Sequence, residues 1–391
     1  MIEQSSDAIA GVKLKYGMVG GGQGAFIGDV HRKAIGLDGL AEIAAGSFSR
    51  SVENTIETGK ALGIAPDRCY RSFEEMAEAE AKRPDKIDFA VITAPNYVHY
   101  AAVKAFLTCG FHVVCEKPLT WEPAEAQELD ALAKKNKLLL AVTYTYAGYP
   151  AVKQIREMIK KGEIGDIRFI MGEYPQEWLA TYVEKTEQRQ AKWRTDPKIA
   201  GKSNCVGDIG SHIENTVSYM TGLKIKSLCA RLDKTLGDRT LDDNASIMLN
   251  FDNGAKGMYW SSQIAVGYDN ALVVRIFGSK GTIQWAQEYP NNFEVFKIGE
   301  PCQRWSRGRD SFYPHAQSYS RIPSGHPEGY FEALGNIYKT YIGAMNKLNA
   351  GLSLTEADLD FPNAEMGIDG VKFISRCVES SDKGAVWVDF D

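Results

Sequence analysis

The sequence predicts an α/β protein of two units: a doubly wound parallel sheet at the N-terminal end, then an antiparallel open sheet packed against helices. Three observations predict it. Short apolar runs alternate with helical stretches through residues 15–142. Those runs are apolar throughout, as in strands covered on both faces. Beyond residue 150 several candidate strands alternate polar with apolar residues, as in a sheet with one face open to solvent or ligand. The division falls at 12–145 and 146–391. A chain of 391 residues also exceeds the roughly 250–300 at which a single core stops growing.

In the first unit, strands are predicted over 16–19, 42–45, 89–93, 112–115 and 138–142, each with a helix to follow or precede it. The helices span 27–37, 52–62, 73–79, 97–109 and 124–136, the last closed by a lysine-rich turn. In the second unit a helix over 152–160 precedes strands over 167–173, 225–232, 245–251, 256–262, 271–277 and 282–285. Asp252-Asn253-Gly254 between two of these is a hairpin signal, because Asn-Gly tolerates the positive φ that tight turns need. Helices over 329–347 and 367–380 complete the chain.

Composition narrows the partners. The chain is 44% hydrophobic and 24% charged, with a net charge of -5 and no block of lysine or arginine. Nothing electrostatic recruits nucleic acid or an anionic membrane, so a small molecule is the expected partner. No apolar run approaches the roughly 18–20 residues that span a bilayer. Residues 1–10 are polar and acidic, without the basic start and apolar stretch of a secretory signal. The seven cysteines are scattered, odd in number and without metal-ligand spacing, as in a reduced cytoplasmic protein with no metal site.

The first strand runs into Val19-Gly20-Gly21-Gly22-Gln23-Gly24-Ala25-Phe26-Ile27-Gly28, which opens the first helix. Glycines there permit a tight turn and close backbone approach to a pyrophosphate, whose charge sits at the helix N-terminus. Gly20, Gly22, Gln23, Gly24 and Ile27 are the predicted cofactor contacts of this loop. An acidic residue at the end of the second strand usually holds the ribose diol. Here that stretch reads Gly46-Ser47-Phe48-Ser49-Arg50, with no acid. Ser49 followed by Arg50 can hold a 2′-phosphate, since a guanidinium binds phosphate bidentately, which leans the cofactor from NAD towards NADP. Arg50 could equally be the solvated start of the next helix, so both cofactors stay open.

Two further segments lie at the carboxyl edge of the same sheet, where doubly wound folds bind ligands. Thr93-Ala94-Pro95-Asn96-Tyr97-Val98-His99 follows the third strand, and Cys115-Glu116-Lys117-Pro118 ends the fourth. Thr93, Pro95, Asn96, His99, Glu116 and Lys117 are therefore also predicted to meet the cofactor. In Gly207-Asp208-Ile209-Gly210-Ser211-His212, which opens a predicted helix over 213–220, Asp208 and His212 are spaced to share a helical face. Oxidising an alcohol needs a base for the hydroxyl proton, and histidine suits that task near neutral pH. Asp208 could orient the imidazole or contact a neighbouring hydroxyl. In isolation the pair reads as readily as a capping aspartate and a satisfied histidine.

The ordered set of a strand and glycine loop, P-N-x-x-H, E-K-P and G-D-I-G-S-H resembles the Gfo/Idh/MocA family (glucose-fructose oxidoreductase, inositol dehydrogenase, rhizopine catabolism). Asp243-Asn244-Ala245, Gly278-Ser279-Lys280-Gly281-Thr282 and Gly325-His326-Pro327-Glu328-Gly329 extend the resemblance over nearly the whole chain. It implies a Rossmann NAD(P)-binding domain, a C-terminal α/β domain with a large open sheet, and a catalytic triad of Lys117, Asp208 and His212. The implied reaction is hydride transfer between a ring carbinol and the nicotinamide, with a homodimer or homotetramer assembled through the open sheet.

Two departures from the family pattern stand out. The glycine loop is lengthened before Ile27-Gly28-Asp29-Val30-His31, and Thr143-Tyr144-Thr145-Tyr146-Ala147-Gly148 lacks the arginine that many members carry at that strand end. The missing arginine favours a neutral sugar, inositol or glycoside. Tyr146, Trp193 and Arg194, with the triad, are the expected substrate contacts, since aromatic rings stack on sugar faces. Tyr174, Gln176 and Trp178 lie in or just after a second-unit strand and could line the pocket, though a tryptophan is more often core or interface, while His315 and His326 read as ordinary loop histidines. Two alternatives remain at this level: a non-catalytic dinucleotide-binding regulator, and an enzyme that retains its cofactor through an internal redox cycle for elimination or glycoside cleavage.

Overall fold

The structure is a computed structural model describing residues 13–391; residues 1–10, read above for a targeting signal, lie outside the described residues. Strands β1 (Leu14–Gly20), β2 (Ala41–Ser47), β3 (Phe89–Thr93), β4 (His112–Cys115) and β5 (Leu140–Val142) form a parallel sheet in the order β2-β1-β3-β4-β5. All five residues of β3 are buried, which accounts for its unbroken apolar sequence Phe-Ala-Val-Ile-Thr. Strand order reverses between β1 and β3, so the loops leaving those two strands diverge and open a crevice at the sheet's carboxyl edge.

Helices α1 (Phe26–Gly36), α2 (Val52–Ala61), α3 (Phe73–Ala81), α4 (Asn96–Thr108) and α5 (Pro123–Lys135) connect these strands. Local chemistry fixes their starts. Ser51 and Ser72 each accept a backbone N–H two residues into α2 and α3, and Pro123 occupies the first turn of α5. Strand β5 begins two residues later than its apolar run suggests, because Lys137 takes a left-handed conformation (φ 56°) and the chain turns before Leu140.

Helix α6 (Pro150–Lys160) leads into the second sheet. Its strands are β6 (Ile167–Pro175), β7 (Ile225–Asp233), β8 (Asn244–Phe251), β9 (Lys256–Ser262), β10 (Val273–Gly278), β11 (Gly281–Ala286), β12 (Asn292–Lys297), β13 (Gln303–Ser306) and β14 (Val388–Asp389). They lie in the order β13-β12-β11-β10-β6-β9-β8-β7-β14, antiparallel except for the β6–β9 pair. The β8–β9 hairpin turns at Gly254, with φ at 88°. Strands β12 to β14 are not among those predicted. Phe293 and Val295 alternate inward as a strand requires, but β13 and β14 are too short to carry a period of their own.

Between β6 and β7 lie two short helices absent from the sequence prediction, α7 (Arg189–Arg194) and α8 (Pro197–Ala200), and then α9 (Ser211–Thr221). A single turn, α10 (Pro314–Gln317), precedes the long helices α11 (Tyr330–Asn349) and α12 (Ala364–Asp382). The sheet's inner face and α6, α9 and α12 share one apolar core, which includes Ile170, Ile213, Tyr259 and Phe373. The chain then returns to the first unit. Tyr341 of α11 meets Phe89 of β3 edge to face, and Val142 N donates to Pro362 O at 2.9 Å. Although α11 and α12 follow the second sheet in sequence, they are part of the packing around the first.

Among the described residues, no helix is long and apolar enough to cross a membrane. All seven cysteines are free, and Cys115, Cys205, Cys229 and Cys377 are buried.

Candidate active site

A cleft of about 1160 Å³ runs from the glycine loop to the helices over the second sheet. Its N-terminal wall is set by close backbone packing. Gly20 and Gly24 have φ near 81° and 84°, a side chain at Gly20 would lie 2.7 Å from Ala94 N, and one at Gly22 would meet Asn54 Oδ1 at 2.4 Å. Ala25, which precedes α1, offers no side-chain cap, so the first amides of the helix are left for a ligand of the cleft. Phosphate fits such a cradle. Gly20, Gly22, Gln23, Gly24 and Ile27 line it, with Ser49 and the exposed Arg50 further out beside Asn54.

Thr93, Pro95, Asn96, His99, Glu116 and Lys117 border the same cleft. His99 also braces the wall of the cleft. It is 1% exposed, and its ring nitrogens lie 2.7 Å from Pro118 O and 2.9 Å from Ala94 O. Burial lowers the ring's pKa, so the neutral imidazole donates to one of these carbonyls and braces the loops after β3 and β4. Asn96 Nδ2 donates to Ala200 O at 3.3 Å, tying the first unit to α8.

Glu116 anchors the next segment. Its Oε1 accepts from Thr143 Oγ1 at 2.6 Å and pairs with His31 Nε2 at 2.8 Å, while Oε2 accepts the Lys117 N–H at 3.1 Å. His31 Nδ1 in turn meets the Tyr338 hydroxyl of α11. Burial pushes the Glu116 carboxyl up, but the hydrogen bond and charge of His31, with Thr143 and Lys117, outweigh it and hold the group at about 2. The peptide between Lys117 and Pro118 is cis.

Lys117 crosses to the second unit, where Nζ donates to Asp208 O at 2.5 Å and to Asp208 Oδ1 at 3.0 Å. Asp208 lies in a π-helical turn, Val206–Gly210, that runs directly into α9. The buried Asp242 pins the start of this turn, accepting from the amides of Asn204 and Val206 at 2.9 and 3.0 Å and from Ser203 Oγ at 3.0 Å. Asp208 Oδ2 accepts from Arg194 Nε at 3.1 Å and Gln263 Nε2 at 3.0 Å. Burial raises the Asp208 carboxyl, yet Arg194 and Lys117 outweigh that cost and hold it far below the ordinary carboxylate range.

The spacing of Asp208 and His212 leaves Asp208 either to orient the imidazole or to contact a neighbouring hydroxyl, and the structure does not pair it with the imidazole. Both Asp208 oxygens are engaged elsewhere, and His212 Nδ1 is buried without a partner among the described residues. Because the turn is π-wound, Asp208 precedes the regular α-helix that carries His212 and holds the lysine and arginine instead. The imidazole is gripped by aromatic rings, with Tyr146 at 4.9 Å and Tyr144 edge-on at 5.6 Å between centroids. Burial, and then the charge of Lys117, pushes its pKa down to about 3 against the pull of Asp208 and Glu116. At neutral pH it is an uncharged imidazole able to accept a proton.

Tyr146 shares a hydrogen bond with Tyr174, which donates to Asn270 Oδ1 at 2.6 Å, as does Gln176 Nε2 at 2.6 Å. Arg194 stacks on Trp193 at 4.2 Å, and Trp193 Nε1 donates to Gln190 Oε1 at 3.0 Å. Residues that sequence reasoning left without a role here are His31, Thr143, Gln263, Asn270 and Tyr330. His31 was visible as the end of the lengthened loop motif, but its partner Glu116 is 85 residues away. His315 pairs with Asp360 at 2.7 Å, and the exposed His326 lies near Pro323 O. Among the described residues, no group of three or more His, Cys, Asp or Glu is placed to hold a metal ion.

Family models match both parts of the chain: the oxidoreductase family with NAD-binding Rossmann fold over residues 14–144, and the GFO/IDH/MocA C-terminal domain over 152–284. An uncharacterized oxidoreductase of Bacillus subtilis (strain 168), YfiI, is 36% identical over 389 residues, covering 99% of each chain. An inositol dehydrogenase homolog from Azotobacter vinelandii, solved with NAD+, superposes with a TM-score of 0.92 at 36% identity, covering 96% of this chain and 97% of that one. Its complex with NADH and myo-inositol gives a TM-score of 0.89 at 35% identity over the same shares. Levoglucosan dehydrogenase, at 24% identity and a TM-score of 0.80 over 96% of this chain and 99% of that one, shares the fold.

Proposed function

The chain belongs to the GFO/IDH/MocA family of oxidoreductases, whose N-terminal domain binds NAD, and from that premise we propose that it is a dehydrogenase acting on a ring carbinol of a neutral sugar, inositol or glycoside. The observation that carries this reading is the convergence of Lys117 from the first unit with Asp208 and His212 from the second, in the same cleft as the glycine cradle. A nicotinamide dinucleotide held by that cradle supplies the hydride acceptor.

The chain's own residues do the rest. Uncharged His212 takes the hydroxyl proton, and Lys117 donates to the same oxygen, stabilising its developing negative charge. Asp208, fixed by Arg194 and Gln263, positions Lys117. Tyr146, Trp193 and Arg194 border the substrate end of the cleft. The absence of an arginine in the Thr143-to-Gly148 segment supports a neutral substrate, as does the myo-inositol bound by the Azotobacter vinelandii relative.

Residues 12–145 would hold the cofactor, and 146–391 the substrate and the contacts between subunits. NAD is the first expectation, from the NAD+-bound relative, while Ser49 and Arg50 support acceptance of NADP. Phe169, Met248, Met258 and Phe296 are exposed on the outward face of the second sheet, which supports a homodimer or homotetramer built through that face. Free, largely buried cysteines support a cytoplasmic location.

The test is formation of reduced cofactor from NAD or NADP with a panel of inositols, aldoses and glycosides, run beside His212→Ala. Signal from one substrate, lost in the variant, supports the reading. Cofactor binding without turnover on any of them would instead favour a regulator or an internal redox cycle.

A further inference from the structure

A second recess, of about 450 Å³, lies beside the cleft and is lined by Tyr149, Gln287, Tyr289, Asn292, Glu328 and Tyr330. Gln287 and Tyr330 line both spaces, so the recess continues the cleft. A row of rings joins it to the reaction centre: Tyr146 lies 4.9 Å from His212, and Tyr330 and Tyr149 each lie 6.3 Å from Tyr146, Tyr149 nearly parallel to it.

We propose that this recess is a subsite for a second, neutral sugar ring, so that the substrate is a glycoside whose oxidised ring sits at His212 and whose other ring rests against Tyr289. The inference rests on the dehydrogenase reading above and narrows its substrate class. Three features of the recess fit a polyhydroxylated ring. Tyr289 is 72% exposed, an unpacked aromatic face of the kind that stacks on the apolar face of a sugar. Gln287 brings an amide that can pair with hydroxyls in either sense, and Asn292, whose Oδ1 accepts from Ser306 Oγ at 2.7 Å, has its Nδ2 to donate. Glu328 is 2% exposed; its Oε1 is held by Arg307 and the amides of Arg321 and Ile322, but its Oε2 is buried without a partner among the described residues. A hydroxyl can donate to that oxygen. Glu288 and Glu328 in the lining disfavour an anionic ring.

Calorimetry on the NADH-loaded full chain tests this, with D-glucose, maltose and cellobiose as probes. At least one disaccharide should bind roughly tenfold more tightly than glucose, about what one additional stacked ring contributes. That ratio should collapse towards one in Tyr289→Ala and in Asn292→Ala, whose altered side chains are on the recess wall and outside the cores. The proposal is overturned if neither disaccharide binds more tightly than glucose, or if the ratio survives both substitutions. Turnover, measured separately, distinguishes the two readings. A disaccharide bound with the expected ratio but never oxidised leaves the subsite standing and removes the dehydrogenase reading. Glucose oxidised with no gain from the second ring does the reverse.

Discussion

Lys117 and Asp208 are 91 residues apart and meet across the cleft, with Nζ 3.0 Å from Oδ1 and 2.5 Å from the Asp208 carbonyl. The pair joins the end of β4 to the turn that starts α9, and it brings a cation next to the imidazole of His212. Lys117→Met keeps the length of the side chain and removes the charge. The expected result is a fall in kcat/KM of about 10²–10⁴, because a donor to the developing oxyanion is gone. Arg194 and Gln263 still hold Asp208, so unfolding in urea should show only a modest loss, about 1–3 kcal/mol. A fully active variant would remove Lys117 from the mechanism.

His212 makes acid stability a readout of its burial. Its pKa in the folded protein is about 3, below the ordinary value of 6.5. The unfolded chain therefore binds the proton first, so stability is present above pH 6.5 and is lost as pH falls towards 3. Between pH 6.5 and 5 that amounts to about 2 kcal/mol. His212→Asn should flatten this part of the pH–stability curve, measured by denaturant unfolding, and should lower kcat/KM by about 10²–10⁴. An unchanged slope would mean that the imidazole is solvated.

Glu214, on the same helix, predicts the opposite slope. It is 4% exposed, its Oε2 has no partner among the described residues, and burial, then the charge of Asp369, raises its pKa from 4.5 to about 8. The unfolded chain ionises first. The stability contribution is full below pH 4.5 and is lost as pH rises through 8, at up to about 1.4 kcal/mol per pH unit. Glu214→Gln should reduce the decline in melting temperature between pH 5 and 8. A parallel curve for the two proteins would count against a buried neutral carboxyl.

Arg50 tests the cofactor lean. Its exposed side chain lies at the outer end of the glycine cradle, next to Ser49. Arg50→Ala should lower the NADPH-to-NADH affinity ratio roughly tenfold, the loss expected for one charge-assisted phosphate contact. Fluorescence titration of both reduced cofactors measures it, and an unchanged ratio would assign Arg50 to solvent.

Much of the fold was legible because it is written in local periodicity. Unbroken apolar runs marked β3 and β4, and Asp252-Asn253-Gly254 marked the β8–β9 turn. Where segments were too short to show a period, non-local pairing created the strands β13 and β14, and the local turns α8 and α10 were too brief to stand out. The site divides along the same line. Gly20, Lys117, Asp208 and His212 could be found in the sequence, since each belongs to a compact motif whose chemistry constrains its neighbours.

The sequence by itself determined the two-unit α/β architecture, the family and the residues that carry charge into the cleft. Tertiary structure decided who pairs with whom. It gave Asp208 to Lys117 and Arg194 rather than to His212, and set His99 between two backbone carbonyls. It also set His31 against Glu116 and returned α11 to cover β3. The physical reason is that hydrogen bonding and desolvation act over a few ångströms in space, between groups that the chain separates by tens or hundreds of residues. Periodicity reports which face of an element is buried, whereas the partner on that face is fixed only when the elements pack.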